Sequence, residues 1–195
     1  MKNWWFTATL VAVLVFVPAA FGDSFSFTYT GNDGLIATGT LTGTALPTGG
    51  YLISSGALLP TGGAYLVSSG TITISGGSGA VDGTGSIVAN PNLTGNYSTS
   101  PSGAYYYSDV LTPGSSPEID YDGLLFNVNG TEVNIYSGCY FTCGSGNPYE
   151  LDEGAYVYAD SGTFVDAPVP EPTTLGLLGS GLFGLAGFAR RRLGK

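Results

Sequence analysis

The sequence predicts an all-β domain, an antiparallel β-sandwich or open barrel, set between an N-terminal signal peptide and a C-terminal transmembrane helix. Three observations carry this reading. Short apolar–polar alternations, separated by Gly, Asn, Ser and Pro, fill residues 23–168. No stretch of that segment repeats at the helical period. The uninterrupted apolar runs stand near the two ends, at residues 4–17 and 173–189.

At the N-terminus a single positive charge, Lys2, precedes the apolar run from Trp4 to Val17. Pro18, Ala19, Ala20, Phe21 and Gly22 follow. Ala20 and Gly22 meet the small-x-small requirement of signal peptidase. Residues 1–22 therefore read as a signal peptide cleaved after Gly22, with Ala20 as the alternative. No cap or amphipathic stripe supports a buried helix there.

The exported segment opens with Phe25, Phe27 and Tyr29 alternating with Ser24, Ser26, Thr28 and Thr30. Gly31-Asn-Asp-Gly34 is a turn cluster, and residues 35–42 form the second strand. Further strands are expected at 51–54, 64–68, 71–74, 86–89, 104–111, 124–128, 132–136, 155–158 and 162–165. A local duplication is visible: Leu46-Pro-Thr-Gly-Gly-Tyr-Leu-Ile-Ser-Ser-Gly recurs from Leu59 with one added Ala. Two copies are too few for a solenoid, so a duplicated strand extending a hairpin at a sheet edge is expected. Many short strands with frequent turns point to a sandwich or barrel.

The C-terminus has three parts: Val169-Pro170-Glu171-Pro172, an uncharged run from Thr173 to Ala189, and Arg190-Arg191-Arg192. A helix over 173–189 spans roughly 26 Å, the short end of what crosses a bilayer. Pro172 suits its first turn, its glycines are common in membrane helices, and the arginines belong on the cytoplasmic side. This order of Pro-Glu-Pro, apolar helix and arginine cluster resembles the PEP-CTERM sorting signal. The resemblance implies recognition by exosortase, a membrane transpeptidase-like enzyme, and removal of the tail during delivery to the cell surface or extracellular matrix. Residues 23–168 then form one exported β-rich domain, and residues 169–195 the sorting signal. Within the domain, Phe25-Ser-Phe-Thr-Tyr-Thr-Gly, Gly39-Thr-Leu-Thr-Gly, Asn90-Pro-Asn-Leu, Asp109-Val-Leu-Thr-Pro-Gly, Asp122-Gly-Leu-Leu-Phe and Val133-Asn-Ile-Tyr resemble an uncharacterised group of PEP-CTERM proteins. That implies a shared fold and no mechanism.

Charge excludes most chemistry. All five Lys and Arg residues lie in the two end segments, and the chain has no His. Of its 14 Asp and Glu residues, all but Glu171 fall in residues 23–168, leaving 13 carboxylates without a basic side chain. Nucleic-acid binding and anionic-membrane binding lack their cations. Ser-His and Cys-His nucleophile systems lack a base, and phosphoryl transfer lacks Lys or Arg.

Candidate sites are few. Cys139 and Cys143, spaced C-x3-C, are the only cysteines. Export favours a disulfide between them, stabilising by roughly 2 kcal/mol. A redox or metal pair is the other reading, though redox pairs are more often C-x2-C. Glu118, Asp120 and Asp122, with Asp109 near them in sequence, are candidate oxygen ligands for Ca²⁺. They do not match the EF-hand loop, and a solvated loop is the plainer reading. The same holds for Glu150, Asp152 and Glu153. A carboxylate pair is all a glycosidase needs, and Tyr105, Tyr106, Tyr107, Tyr140 and Tyr149 are of the type that stacks on sugars. Asn92-Leu-Thr94, Asn96-Tyr-Ser98 and Asn129-Gly-Thr131 match the glycosylation acceptor pattern.

The expectation is thus an exported, noncatalytic surface or matrix protein without a resident cofactor. Its partners would be signal peptidase, exosortase and, before processing, the membrane. The alternatives are a Ca²⁺-dependent carbohydrate-binding module meeting extracellular polysaccharide, or a carboxylate-based glycosidase.

Overall fold

Strand alternation reads directly onto the computed structural model, which describes residues 23–47, 50–52, 58–60, 63–138, 149–169 and 181. The signal peptide at 1–22, Cys139, Cys143, Tyr140 and, apart from Gly181, the helix expected at 173–189 lie outside the described residues. Among the described residues no helix is long and apolar enough to cross a membrane.

The strands are β1 (Asp23–Gly31), β2 (Ile36–Ala45), β3 (Gly50–Leu52), β4 (Leu58–Pro60), β5 (Tyr65–Ser75), β6 (Gly83–Ile87) and β7 (Ser98–Thr99). They continue as β8 (Tyr106–Tyr107), β9 (Val110–Leu111), β10 (Leu124–Val128), β11 (Thr131–Ser137), β12 (Tyr149–Glu153) and β13 (Tyr158–Pro168). Hydrogen bonds join them in the order β2-β1-β13-β12-β11-β10-β6-β5, and β5 pairs back onto β2 from Ile36↔Ser75 to Ala45↔Tyr65. Eight antiparallel strands therefore close into a barrel, with a register shift at Thr42/Gly43. Closure leaves none of these strands a continuous free edge. β9 adds a ninth strand beside the first residues of β5.

The alternation of β1 explains the interior. Phe25, Phe27 and Tyr29 are buried while Ser26, Thr28 and Thr30 face solvent. Phe27 stacks on Phe164 at 5.5 Å and tilts against Phe126 at 5.8 Å. Ile72, Ile74, Val133, Ile135 and Leu151 fill the space around them. Large rings need small neighbours in a narrow barrel. A Cβ on Gly39 would strike the Thr71 carbonyl and come 2.6 Å from the Phe27 ring. A Cβ on Gly162 would meet the Thr30 carbonyl and stand 2.7 Å from the Tyr29 ring.

One barrel end is shut by the β1–β2 turn, where Leu35 is fully buried, and the other by Leu111 and Ile119. Outside β10–β12 lies a second, smaller layer. Tyr105 and Tyr107 pack on Leu125 there, and Asn134 donates to the carbonyls of Asp122 and Tyr106.

Local departures from the sequence reading have physical causes. Of the strand expected at 155–158, residues 155–157 form a turn, because Ala155 and Tyr156 hold φ of 61° and 67°, and Tyr158 opens β13. The strand lies earlier, at β12, in residues whose carboxylates read as a loop. The run 104–111 breaks into β8 and β9 at Asp109, whose φ is 54°. Asn129 and Gly130, at φ 53° and 89°, make the two-residue type I′ turn between β10 and β11. Of the duplicated segments, the first contributes β3, while the second gives Leu59 and Pro60 to β4, its partner in a separate hairpin, and then enters β5 of the barrel.

Candidate functional site

A domain without cations must settle its carboxylates by backbone donors, hydroxyls or shared protons. The structure uses backbone donors and hydroxyls, and it sets Glu118 against Asp166. Asp109 is fully buried at the break between β8 and β9. Its Oδ2 accepts the Asn90 N–H at 2.9 Å and its Oδ1 the Leu125 N–H at 3.0 Å. Burial raises its pKa well above the ordinary carboxylate value against these two donors. Its backbone is left-handed, at φ 54°, a conformation that Asp adopts more readily than most residues.

The three carboxylates proposed for Ca²⁺ part company. Asp120 is 5% exposed. Its Oδ1 accepts Ser108 Oγ–H at 2.8 Å, Gly123 N–H at 2.8 Å and Asp122 N–H at 3.1 Å, while Oδ2 is buried without a hydrogen bond. Burial first, then the adjacent Asp122, pushes it up to about 7. Glu118 turns instead to Asp166 on β13. Burial, followed by the charge and hydrogen bond of Asp166, pushes Glu118 up to about 7, and burial raises Asp166 as well. Glu118 N–H also donates to Tyr149 Oη at 2.8 Å. Asp120 and Asp122 therefore stand together and Glu118 does not join them. Among the described residues no group of three His, Cys, Asp or Glu side chains is placed to hold a metal ion.

The second acidic cluster is built into β12. Glu150 and Asp152 project outward, where Tyr136 Oη lies 2.6 Å from Glu150 Oε2 and 2.8 Å from Asp152 Oδ2. Both carboxylates thus draw on one phenolic O–H. Burial raises both Asp152 and Tyr136. Glu153 points inward and accepts Val81 N–H at 2.7 Å. At the far end of the barrel Asp33 accepts Tyr158 Oη–H at 2.6 Å and Ser78 N–H at 3.0 Å. The Tyr158 bond, then the Ser78 bond, hold Asp33 below its usual value.

The tyrosines divide in the same way. Tyr105, Tyr107 and Tyr149 are buried, and Tyr106 is exposed. Tyr105 Oη accepts the Ala155 N–H at 3.0 Å. Tyr97, which the composition alone does not single out, stands exposed against Tyr106.

The last site is the end of the barrel itself. β1 and β13 are antiparallel neighbours, with Phe25 opposite Pro168. The Val169 N–H donates to the Ser24 carbonyl at 2.8 Å. The first strand after the expected signal cleavage and the last residue before Pro170 are thus hydrogen-bonded to each other. Pro170, Glu171, Pro172, Arg190, Arg191 and Arg192 lie outside the described residues.

Residues 168–192 match the family model described as the PEP-CTERM protein-sorting motif. The match begins at the final residue of β13. Neither the curated proteins nor the solved structures compared with the chain produced a match.

Proposed function

We infer that this chain, a PEP-CTERM protein and exosortase substrate, serves as a noncatalytic β-barrel of the cell surface or extracellular matrix. The single observation that carries the reading is the junction at Val169. The sorting motif begins where the barrel ends, and the last ladder bond returns to Ser24. Before processing, the C-terminal segment anchors the chain in the membrane, with the barrel on the outer side. β1 and β13 leave the same barrel end, so that end is the one held toward the bilayer. Signal peptidase at Gly22 and exosortase near Pro170 act on adjacent points of one surface.

A noncatalytic role is supported by how the carboxylates are spent. Asp109 and Glu153 accept backbone N–H groups, and Asp120 accepts two of them and a hydroxyl. Acids committed to holding loops in place are poor candidates for general acid–base work.

The test is mass spectrometry of the C-terminal peptides in surface and membrane fractions of the producing cell. Peptides from 173–189 should be missing from the surface population. Glu171→Ala should leave intact chain in the membrane. Intact tail on most of the surface population would overturn the reading.

A further inference from the structure

The β7–β8 hairpin carries two tyrosines that the core does not use. Tyr97 and Tyr106 are 36% and 53% exposed. Their rings meet edge to face, 5.4 Å apart with an interplanar angle of 82°, an arrangement that aromatic pairs favour.

The backbone beneath them is fixed. Asn90 is 5% exposed, and its side chain grips both residues that flank Tyr97. Nδ2 donates to the Asn96 carbonyl at 2.8 Å, and Oδ1 accepts Ser98 Oγ–H at 2.7 Å. The same amide donates to the Ser108 carbonyl at 2.9 Å, and Asn90 N–H is held by Asp109. Tyr106 is placed by its pairing with Thr99 and by Asn134 Nδ2, which donates to its carbonyl at 3.3 Å. A ligand meeting these rings therefore has no loop to order, and that saving favours binding.

Charge excludes one class of ligand. Residues 23–168 hold 13 carboxylates and no Lys, Arg or His. An anionic polymer, whether nucleic acid, acidic lipid or uronic-acid glycan, is repelled and finds no cation to pair with. A neutral sugar ring needs no counter-charge. It presents an apolar C–H face to an aromatic ring and hydroxyls to the phenols beside it, the mixture of apolar surface and few polar groups typical of small-ligand sites.

We propose that Tyr97 and Tyr106 form a stacking site for neutral hexose units of an extracellular polysaccharide. The site deepens the surface-protein reading above, resting on it only for where protein and polymer meet. It uses no metal ion. Asn90 and Ser98 are positioning residues, and the two rings make the contact.

The experiment is affinity electrophoresis of the full chain in detergent, through gels containing dextran, galactomannan, alginate or chitosan. At least one of the two neutral polymers should retard the protein. Tyr97→Ala and Tyr106→Ala should each weaken that retention by about two- to tenfold. Tyr156→Ala, at a tyrosine 63% exposed on the β12–β13 turn, should leave it unchanged. The melting temperature of Tyr106→Ala should stay at the parent value, which separates loss of contact from loss of fold. Failure of both neutral polymers to retard the chain overturns the proposal. So does equal retention of Tyr106→Ala, or retention by chitosan alone, which would make the acidic surface a binder of cations. Misdelivery in the cell would defeat the surface-protein reading and leave this gel result untouched.

Discussion

The N–H of Val169 donates to the carbonyl oxygen of Ser24 over 2.8 Å, so the barrel closes with its first and last strands side by side. β1 sits between β2 and β13, and removing it would expose an edge on each. Deleting residues 23–30 should abolish the cooperative thermal transition of the full chain in detergent, followed by far-ultraviolet circular dichroism. A sharp transition surviving the deletion would mean that the remaining strands close without β1.

Phe27 and Gly39 face each other across the β1–β2 ladder and divide one interior volume between them. Phe27→Ala should destabilise by about 3–5 kcal/mol through the cavity it leaves. Gly39→Ala should destabilise by about 1–3 kcal/mol, because its Cβ meets the Phe27 ring and the Thr71 carbonyl. The double variant Phe27→Ala/Gly39→Ala should be destabilised by less than the sum of its two single changes. Denaturant melts of the three variants measure this, and strict additivity would show that the two positions do not share the space.

How far the sequence discloses this molecule depends on the range of the interaction. The inward faces of β1, β10 and β11 follow from alternation, since each side chain's side is set by its own strand. Closure of the barrel does not, because it depends on the stagger between β2 and β5, which are far apart in the chain. The carboxylates mislead for a related reason. Glu150, Asp152 and Glu153 look like a solvated loop when counted, yet they lie in β12, with Tyr136 Oη against Glu150 and Asp152 and the Val81 N–H on Glu153. Glu118 resembles a companion of Asp120 in sequence, while its partner Asp166 lies on the last strand. The Asn129-Gly130 turn had a legible signal, because Asn-Gly between alternating runs favours the type I′ hairpin. The sorting motif was legible in full, since its information is local and linear.

Asp109 joins three segments through one side chain, and substitution there should separate geometry from charge. Asp109→Asn keeps a residue tolerant of φ 54° and retains one acceptor for the N–H groups of Asn90 and Leu125. Asp109→Ala loses both acceptors and strains the backbone. We expect Asp109→Ala to cost about 2–4 kcal/mol and Asp109→Asn about half of that, measured by urea denaturation. Equal effects would mean that neither the one remaining acceptor nor the tolerance of Asn for a left-handed backbone contributes at this position.

Glu118 and Asp120 make stability fall as pH rises, opposite to the usual behaviour of carboxylates. Both are pushed up to about 7 in the folded chain, first by burial and then by Asp166 and Asp122 respectively. In the unfolded chain they titrate near the ordinary carboxylate values of 4.5 and 3.8. Between those limits the folded state holds protons that the unfolded state has released, so stability declines with increasing pH. The contribution is complete below about pH 4 and is lost as pH passes through about 7. Asp152, Glu153, Asp160 and Asp166 are also raised, with burial the leading cause, and act in the same direction. Asp33 and Glu132 are lowered, so their opposing effect lies on the acid side, below their ordinary carboxylate values. The melting temperature should therefore drop from pH 5 to pH 8. Glu118→Gln keeps a neutral donor to Asp166 and cannot ionise, so it should lessen the drop and melt above the parent chain at pH 8. A melting temperature that is flat or rising over this range would show that Glu118 and Asp120 do not set the pH dependence of the folded barrel.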